Sequence, residues 1–152
     1  MAKTKGKSKG KIKGKLKVAM LGGLNEIGKN IAVIEFGNDI IVVDCGLGFP
    51  DDDMLGVDLV IPDVSYLEKN IEKVRGIFIT HGHEDHIGSL PYVLRTVNVP
   101  VYGTRLTLGI LQRKLSEYRF DTAPELVCVE AGEIVQAGVF SVEFIRVNHS
   151  IA

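Results

Sequence analysis

A histidine cluster that directly follows an apolar segment is the feature that most constrains this chain. Three of its four histidines lie within the six residues His81-Gly82-His83-Glu84-Asp85-His86, and the fourth is His149. The segment before the cluster, residues 76–80, is apolar and β-branched, as expected of a buried strand. Metal-ligand side chains concentrated where such a strand ends indicate a metal site more readily than a packing role.

The apolar pattern predicts strands and helices in a definite order. Strands are expected at residues 17–21, 31–36, 40–43, 76–80, 99–102, 126–129, 134–136 and 139–147. Helices are expected after a capping box formed by Ser65 and Glu68, at residues 87–97, and from Thr104 to about residue 118. Strands at both ends and a strand–helix–strand–helix middle predict an α/β fold in which helices cover a sheet.

The composition excludes several classes of protein. Hydrophobic residues make up 45% of the chain and charged residues 24%, which is typical of a globular domain and not of global disorder. No apolar run approaches the roughly 20 residues that span a bilayer, so no membrane association is expected. The two cysteines, Cys45 and Cys128, cannot form a disulfide framework, and their scarcity favours the reducing cytoplasm.

The charge of the chain is distributed unevenly. Residues 1–16 form a Lys/Gly-rich segment that is expected to be a disordered basic arm, ahead of one folded unit at residues 17–152. The candidate RNA-contacting residues are eight lysines with no acid among them: Lys3, Lys5, Lys7, Lys9, Lys11, Lys13, Lys15 and Lys17. Each lysine could neutralise one phosphate of a polyanion, but composition leaves open a simpler role as a solubility tail.

A phosphate-binding loop is an alternative that the residues before position 31 suggest. Gly23-Leu24-Asn25-Glu26-Ile27-Gly28-Lys29-Asn30 follows the pattern G-x-x-x-x-G-K-[ST] except at its last position. Asn30 lacks the hydroxyl that would bind Mg²⁺, and the residues after it have the pattern of a strand, not of the required helix. A tight turn between two strands is therefore the favoured interpretation.

The spacing within the histidine cluster suits two metal ions. His81 and His83 are separated by one residue, so their rings can converge on one ion, and Asp85 and His86 can reach a second ion beside it. Imidazole nitrogen and carboxylate oxygen are ligands suited to Zn²⁺. Two adjacent ions can activate a water and stabilise charge during displacement at phosphorus. His149 is a candidate for a further ligand, because the cluster needs one.

These residues resemble a known family. His81-x-His83-x-Asp85-His86 after an apolar strand is similar to the metal-binding motif of the metallo-β-lactamase superfamily. Within that superfamily, the stretches at residues 23–30, 42–46, 54–63 and 147–151 resemble the ribonuclease J branch of the β-CASP ribonucleases. The resemblance covers residues 17–152 and implies the αββα sandwich of the metallo-β-lactamase fold, of which the N-terminal half to two-thirds would be present.

The resemblance also implies roles for individual residues. His81, His83 and His149 would bind one zinc ion, and Asp85 and His86 the other, with Asp85, His86 and His149 counted as catalytic. Asp44 would support the metal ligands, and Glu84 is not expected to be a ligand. The implied activity is hydrolysis of RNA phosphodiesters by a metal-activated hydroxide, as a 5′-to-3′ exonuclease, an endonuclease or both, in rRNA maturation and mRNA decay. The implied partners are RNA and further copies of the chain in a homo-oligomer.

The sequence departs from the family in ways that create further expectations. The family's metal-bridging aspartate, a further histidine ligand and the β-CASP insertion would all come after Ala152. We therefore expect an N-terminal fragment that holds one zinc ion weakly and is inactive alone. Two alternatives stay open: another hydrolase of the same fold, such as a thioesterase or lactonase, and a non-enzymatic, basic-armed RNA-binding module.

Overall fold

The computed structural model describes residues 14–149, and its main feature is a six-stranded sheet. The strands lie in the spatial order in which they occur in the chain: β1 (Leu16–Gly22), β2 (Ile31–Phe36), β3 (Asp39–Val43), β4 (Val74–Phe78), β5 (Val101–Gly103) and β6 (Leu126–Cys128). The predicted α/β fold is thereby confirmed.

The sheet changes from antiparallel to parallel at β3. β1, β2 and β3 form antiparallel pairs, with Val18 opposite Ile34 and Ile34 opposite Ile41. From β3 onwards all neighbours are parallel, and Val43 pairs with Phe78. The carboxyl ends of β3 and β4 therefore meet at one edge of the sheet, where the chain continues into Asp44 and His81.

The two faces of the sheet are covered by different elements. Helices α1 (Ser65–Glu68), α2 (Glu84–Ile87), α3 (Leu90–Val93) and α4 (Arg105–Leu115) contribute to the main core. That core contains residues such as Ile40, Ile77, Leu90 and Leu111, each without solvent exposure. On the other face, the hairpin of β7 (Ile134–Ala137) and β8 (Phe140–Glu143) packs over Ile41 and Phe78.

Two of the predicted helices differ from the observed ones. The helix expected at residues 87–97 is replaced by α2 and α3, with Gly88 and Ser89 between them. The capping box of Ser65 and Glu68 is not formed, because Val64 is the N-cap of α1 and makes no side-chain capping bond. The backbone N–H of Ser65 donates instead to the Asp63 carboxylate at 2.8 Å.

The basic arm lies mostly outside the described residues. Six of its eight lysines, Lys3 to Lys13, are not described, whereas Lys15 is exposed and Lys17 lies within β1. The Lys17 ammonium forms an ion pair with Glu35 at 3.0 Å. Within residues 14–149, no helix is both long enough and apolar enough to cross a membrane.

Candidate metal centre

The site is built where β3 and β4 end side by side. Asp44 directly follows β3 and adopts a left-handed backbone conformation with φ of 61°. Its backbone N–H donates to the carbonyl of Phe78 at 2.9 Å, which holds the chain after β3 beside the end of β4. Thr80 and His81 follow β4 at the same edge, and both Asp44 and His81 are buried.

Three histidine side chains converge in front of this edge. The candidate ligand atoms of His81, His83 and His149 all lie within 4.8 Å of one another. Nε2 of His81 is 3.0 Å from Nδ1 of His83, and the ring of His149 lies 4.3 Å from that of His81 between centroids. Residues that are 66 positions apart in the sequence, His83 and His149, therefore share one cluster.

Asp85 and His86 lie directly beside this cluster. The rings of His81 and His86 are 4.1 Å apart between centroids, and Nε2 of His86 lies 3.4 Å from Oδ2 of Asp85. The amide of Asn30 donates to Oδ2 of Asp85 at 3.0 Å, and the same nitrogen is 3.2 Å from Nε2 of His86. The structure thus brings together all five residues that the sequence analysis named as metal ligands.

The carboxylate of Asp44 holds several of these groups. Oδ2 of Asp44 lies 2.8 Å from Nδ1 of His86, and Oδ1 accepts the backbone N–H of Thr80 at 2.8 Å. The Thr80 hydroxyl is 3.0 Å and 2.9 Å from the two Asp44 oxygens and 3.0 Å from Nδ1 of His81. One buried carboxylate therefore contacts His86 directly and His81 through Thr80.

The electrostatic surroundings act in opposite directions on two of the histidines. Burial, followed by the charges of His86 and His149, lowers the pKa of His81 from its ordinary value. Burial also acts to lower the pKa of His86, but the hydrogen bond and charge of Asp44, with the charge of Asp85, raise it overall. A lowered pKa keeps the His81 ring neutral at neutral pH, which is the form that can bind a metal ion.

Backbone contacts fix the loop that carries Asp85 and His86. The carbonyl of Asp85 accepts the N–H of Asn30 at 3.1 Å, and that of His86 accepts the N–H of Cys45 at 2.7 Å. A Cβ atom added to Gly46 would lie 1.6 Å from the Asp85 carbonyl oxygen. Only glycine fits at this position, because any side chain would push the two loops apart.

The donor set fits a metal ion. Three neutral imidazoles around one point are typical of zinc sites, with metal–nitrogen distances of about 2.0–2.1 Å. Ligand atoms on one tetrahedral ion are then about 3.3 Å apart, close to the 3.0 Å that separates the facing nitrogens of His81 and His83. Asp85 and His86 offer an oxygen and a nitrogen for a neighbouring ion.

Three parts of this arrangement were not predicted from the sequence. Asn30 was considered only as a failed phosphate-loop position, although it belongs to the stretch that carries the family resemblance. Thr80 had one available signal, its place between the apolar strand and His81. Glu84, which was not expected to be a ligand, forms an ion pair with Lys114 on α4.

The phosphate-binding loop, the disfavoured alternative for residues 23–30, is not formed in this part of the structure. Residues 24–27 form bends, Gly28 makes an isolated bridge to Gly48, and the segment leads directly into β2, so no helix N-terminus follows it. The segment connects two antiparallel strands, as the favoured interpretation expects, but it is an eight-residue connection and not a tight turn.

Comparison with known proteins places this arrangement in a family. The model of the metallo-beta-lactamase superfamily matches residues 24–149, which include every candidate ligand. The chain belongs to the metallo-beta-lactamase superfamily. The resemblance found from the histidine motif is therefore confirmed.

Within this superfamily, the chain is similar to curated ribonucleases J. Ribonuclease J of Synechocystis is 49% identical over 138 residues, covering 90% of this chain and 22% of the relative. Ribonuclease J2 of Bacillus subtilis is 45% identical over 135 residues, covering 89% of this chain and 24% of the relative. The chain spans about a quarter of the length of these relatives.

Solved metallo-beta-lactamase structures share the fold. The metallo-beta-lactamase fold protein YhfI of Bacillus subtilis has a TM-score of 0.58 and 20% sequence identity. The matched region covers 89% of this chain and 54% of YhfI. The fold expected from the sequence, of which this chain holds a part, is confirmed by this likeness.

Proposed function

We propose that the protein is a zinc-dependent ribonuclease of the ribonuclease J type. The observation that carries this proposal is the convergence of His81, His83 and His149 beside the pair Asp85 and His86. The ribonuclease J relatives, at 45–49% identity, favour RNA over the small substrates of a thioesterase or lactonase. The reaction is hydrolysis of RNA phosphodiesters, exonucleolytic from the 5′ end, endonucleolytic or both, in rRNA maturation and mRNA decay.

Each ligand has a defined part in the proposed site. His81, His83 and His149 would hold one zinc ion, and Asp85 and His86 would contribute to a second site, for which further ligands are expected after Ala152. When bound there, two such ions would supply the means to acidify a water molecule and to stabilise negative charge on phosphate oxygens. Asp44 keeps His86 in place through its ring Nδ1, and Asn30 holds the Asp85 carboxylate through one hydrogen bond.

We also propose that the protein is located in the cytoplasm. Cys45 is a buried free thiol and Cys128 an exposed one. Exposed free thiols persist in the reducing cytoplasm, where the RNA substrate is also found.

The test is hydrolysis of a 5′-labelled RNA with and without metal by the full-length protein, since residues 1–152 alone are expected to show little or no cleavage. We expect a chelator to abolish cleavage and added zinc to restore it. His83→Ala and His86→Ala should lower the rate by at least about 100-fold, whereas Asp121→Asn, at an exposed position away from the site, should not. Cleavage that survives both chelation and His83→Ala would contradict the proposal.

A further inference from the structure

We propose that Thr80 is a positioning residue, which fixes the tautomer of His81 so that Nε2 of that ring faces the metal. The inference rests on the metal site proposed above and extends it by one residue. Its basis is the set of contacts made by the Thr80 hydroxyl, which touches both the Asp44 carboxylate and the His81 ring.

The Thr80 hydroxyl has only one hydrogen to donate. A carboxylate at neutral pH has no hydrogen, so it can only accept from the hydroxyl that lies 2.9 Å and 3.0 Å from its oxygens. The hydroxyl hydrogen is therefore donated to Asp44. The hydroxyl then presents a lone pair to Nδ1 of His81, 3.0 Å away, and this contact is a hydrogen bond only if Nδ1 carries the proton.

The proton on Nδ1 determines which nitrogen can bind a metal. A neutral imidazole has one protonated nitrogen, so a proton on Nδ1 leaves a lone pair on Nε2. Nε2 of His81 is the atom that lies 3.0 Å from His83, within the three-histidine cluster. The opposite tautomer would place an N–H where the ion must lie.

The position of Thr80 is itself fixed by Asp44. Its backbone N–H donates to Oδ1 of Asp44 at 2.8 Å, so the main chain and the hydroxyl are held by the same carboxylate. Asp44 also contacts Nδ1 of His86, which leaves Nε2 of that ring for the neighbouring ion. The same carboxylate thus selects the tautomer of two ligands, one directly and one through Thr80.

The experiment compares Thr80→Val with Thr80→Ser in the intact protein. Valine has nearly the shape of threonine but lacks the hydroxyl, whereas serine keeps the hydroxyl. The tautomer of His81 is read from the ¹⁵N shifts of its ring in the metal-free protein at neutral pH. Zinc affinity is measured by competition with a chromophoric chelator.

We expect the metal-free wild type to carry the His81 proton on Nδ1. Thr80→Val should lose this preference and bind zinc roughly 10-fold to 100-fold more weakly than the wild type. Thr80→Ser should keep both the tautomer and the zinc affinity of the wild type. A proton on Nε2 in the wild type, or wild-type zinc affinity in Thr80→Val, would overturn the role of Thr80. Failure of the wild type to bind zinc would instead overturn the metal site, while the metal-free tautomer would still test Thr80.

Discussion

Oδ2 of Asp44 lies 2.8 Å from Nδ1 of His86, and this contact joins the end of β3 to a helix 42 residues later in the chain. Both groups are largely shielded from water, with side-chain exposures of 9% for Asp44 and 21% for His86. A contact of this kind is stronger than one at the surface, and it fixes the ring plane of a proposed ligand.

Asp44→Asn should weaken zinc binding roughly 10-fold to 100-fold, because the amide replaces an accepting oxygen with a donor that faces other donors. Asparagine tolerates the left-handed backbone of this position, so the effect will come from the lost acceptor and not from strain. We expect the free energy of unfolding to fall by about 1–3 kcal/mol in urea titrations.

Asp39→Asn is the matched control for Asp44→Asn. Asp39 begins the same strand and forms an ion pair with Arg75, away from the histidines. It should lower stability without changing zinc affinity. Equal zinc affinities for wild type and Asp44→Asn would refute the role of Asp44.

Gly46→Ala should destabilise the protein by about 3 kcal/mol or more, because its Cβ would lie 1.6 Å from the carbonyl oxygen of Asp85. Gly109→Ala is the matched control: it lies within α4, and its added Cβ would meet nothing within 4 Å. That variant should gain about 0.5–1 kcal/mol from helix propensity. The stabilities of both variants are measured by thermal and urea unfolding. Equal changes in the free energy of unfolding for Gly46→Ala and Gly109→Ala would contradict the packing argument.

Glu35→Gln should lower stability at neutral pH and have little effect in acid. Hydrogen bonds from Tyr66 and then from Lys17 lower the pKa of Glu35 from its ordinary value of 4.5. A carboxyl whose pKa is lower in the folded state stabilises the fold above its unfolded pKa and loses this contribution as the pH falls through the folded pKa.

The measurement is the free energy of unfolding of Glu35→Gln against wild type between pH 7 and pH 3. We expect a deficit of about 1–2 kcal/mol at pH 7 that shrinks below pH 4.5. Glu117→Gln, at an exposed position on the chain after α4, should show no deficit at either pH. A pH-independent deficit for Glu35→Gln would show that packing, and not charge, is responsible.

Deletion of residues 2–13 tests the basic arm while leaving β1, which begins at Leu16, intact. If the six deleted lysines contact RNA, affinity for single-stranded RNA should fall. Each phosphate contact on a single strand contributes about −0.7 to the slope of log affinity against log salt concentration. Loss of the six lysines should therefore make this slope less negative by up to about 4. A second variant with the same lysines replaced by Gln separates charge from length. Unchanged affinity and slope would leave the arm only a role in solubility.

Local pattern was sufficient to predict β2 at both ends. Residues 31–36 are apolar except for Glu35 and are followed by a Gly–Asn turn, so the strand could be identified without knowledge of its neighbours. Its buried face could not, because the buried positions are Ile31, Val33 and Glu35, while the apolar Ala32, Ile34 and Phe36 are only half-buried. The histidine motif was equally informative, because its ligands are adjacent in sequence. The strand before it, expected at residues 76–80, is observed at Val74–Phe78, an offset typical of strand boundaries.

The helix predicted at residues 87–97 was correct only in part, because distant groups replace the helical hydrogen bonds at its beginning. The N–H of Ser89 donates to the carbonyl of Cys45 at 3.1 Å, and the carbonyl of Asp85 accepts from Asn30. The Ser89 hydroxyl also donates to the carbonyl of Gly46 at 2.7 Å. These partners are more than 40 positions away, so no periodicity in the segment itself could indicate them.

The roles of Asn30 and Thr80 could not be predicted for the same reason, because their partners are distant in the sequence. Asn30 acts on Asp85 across 55 residues, and Thr80 acts on Asp44 across 36 residues. His149 was included because the cluster needed another ligand and because the family resemblance implied it. Its position beside His81 depends on how the chain returns after β8, which residue pattern alone does not determine.

The bonds that hold the 84–89 segment against the 44–47 loop are mostly main-chain bonds, from Cys45, Leu47 and Ser89. Main-chain groups are the same whatever side chain a residue carries. The positions of these two loops therefore depend little on which side chains the ligands carry. One imidazole or carboxylate could be exchanged for another, altering which cation is preferred, while the loops that present it kept their shape.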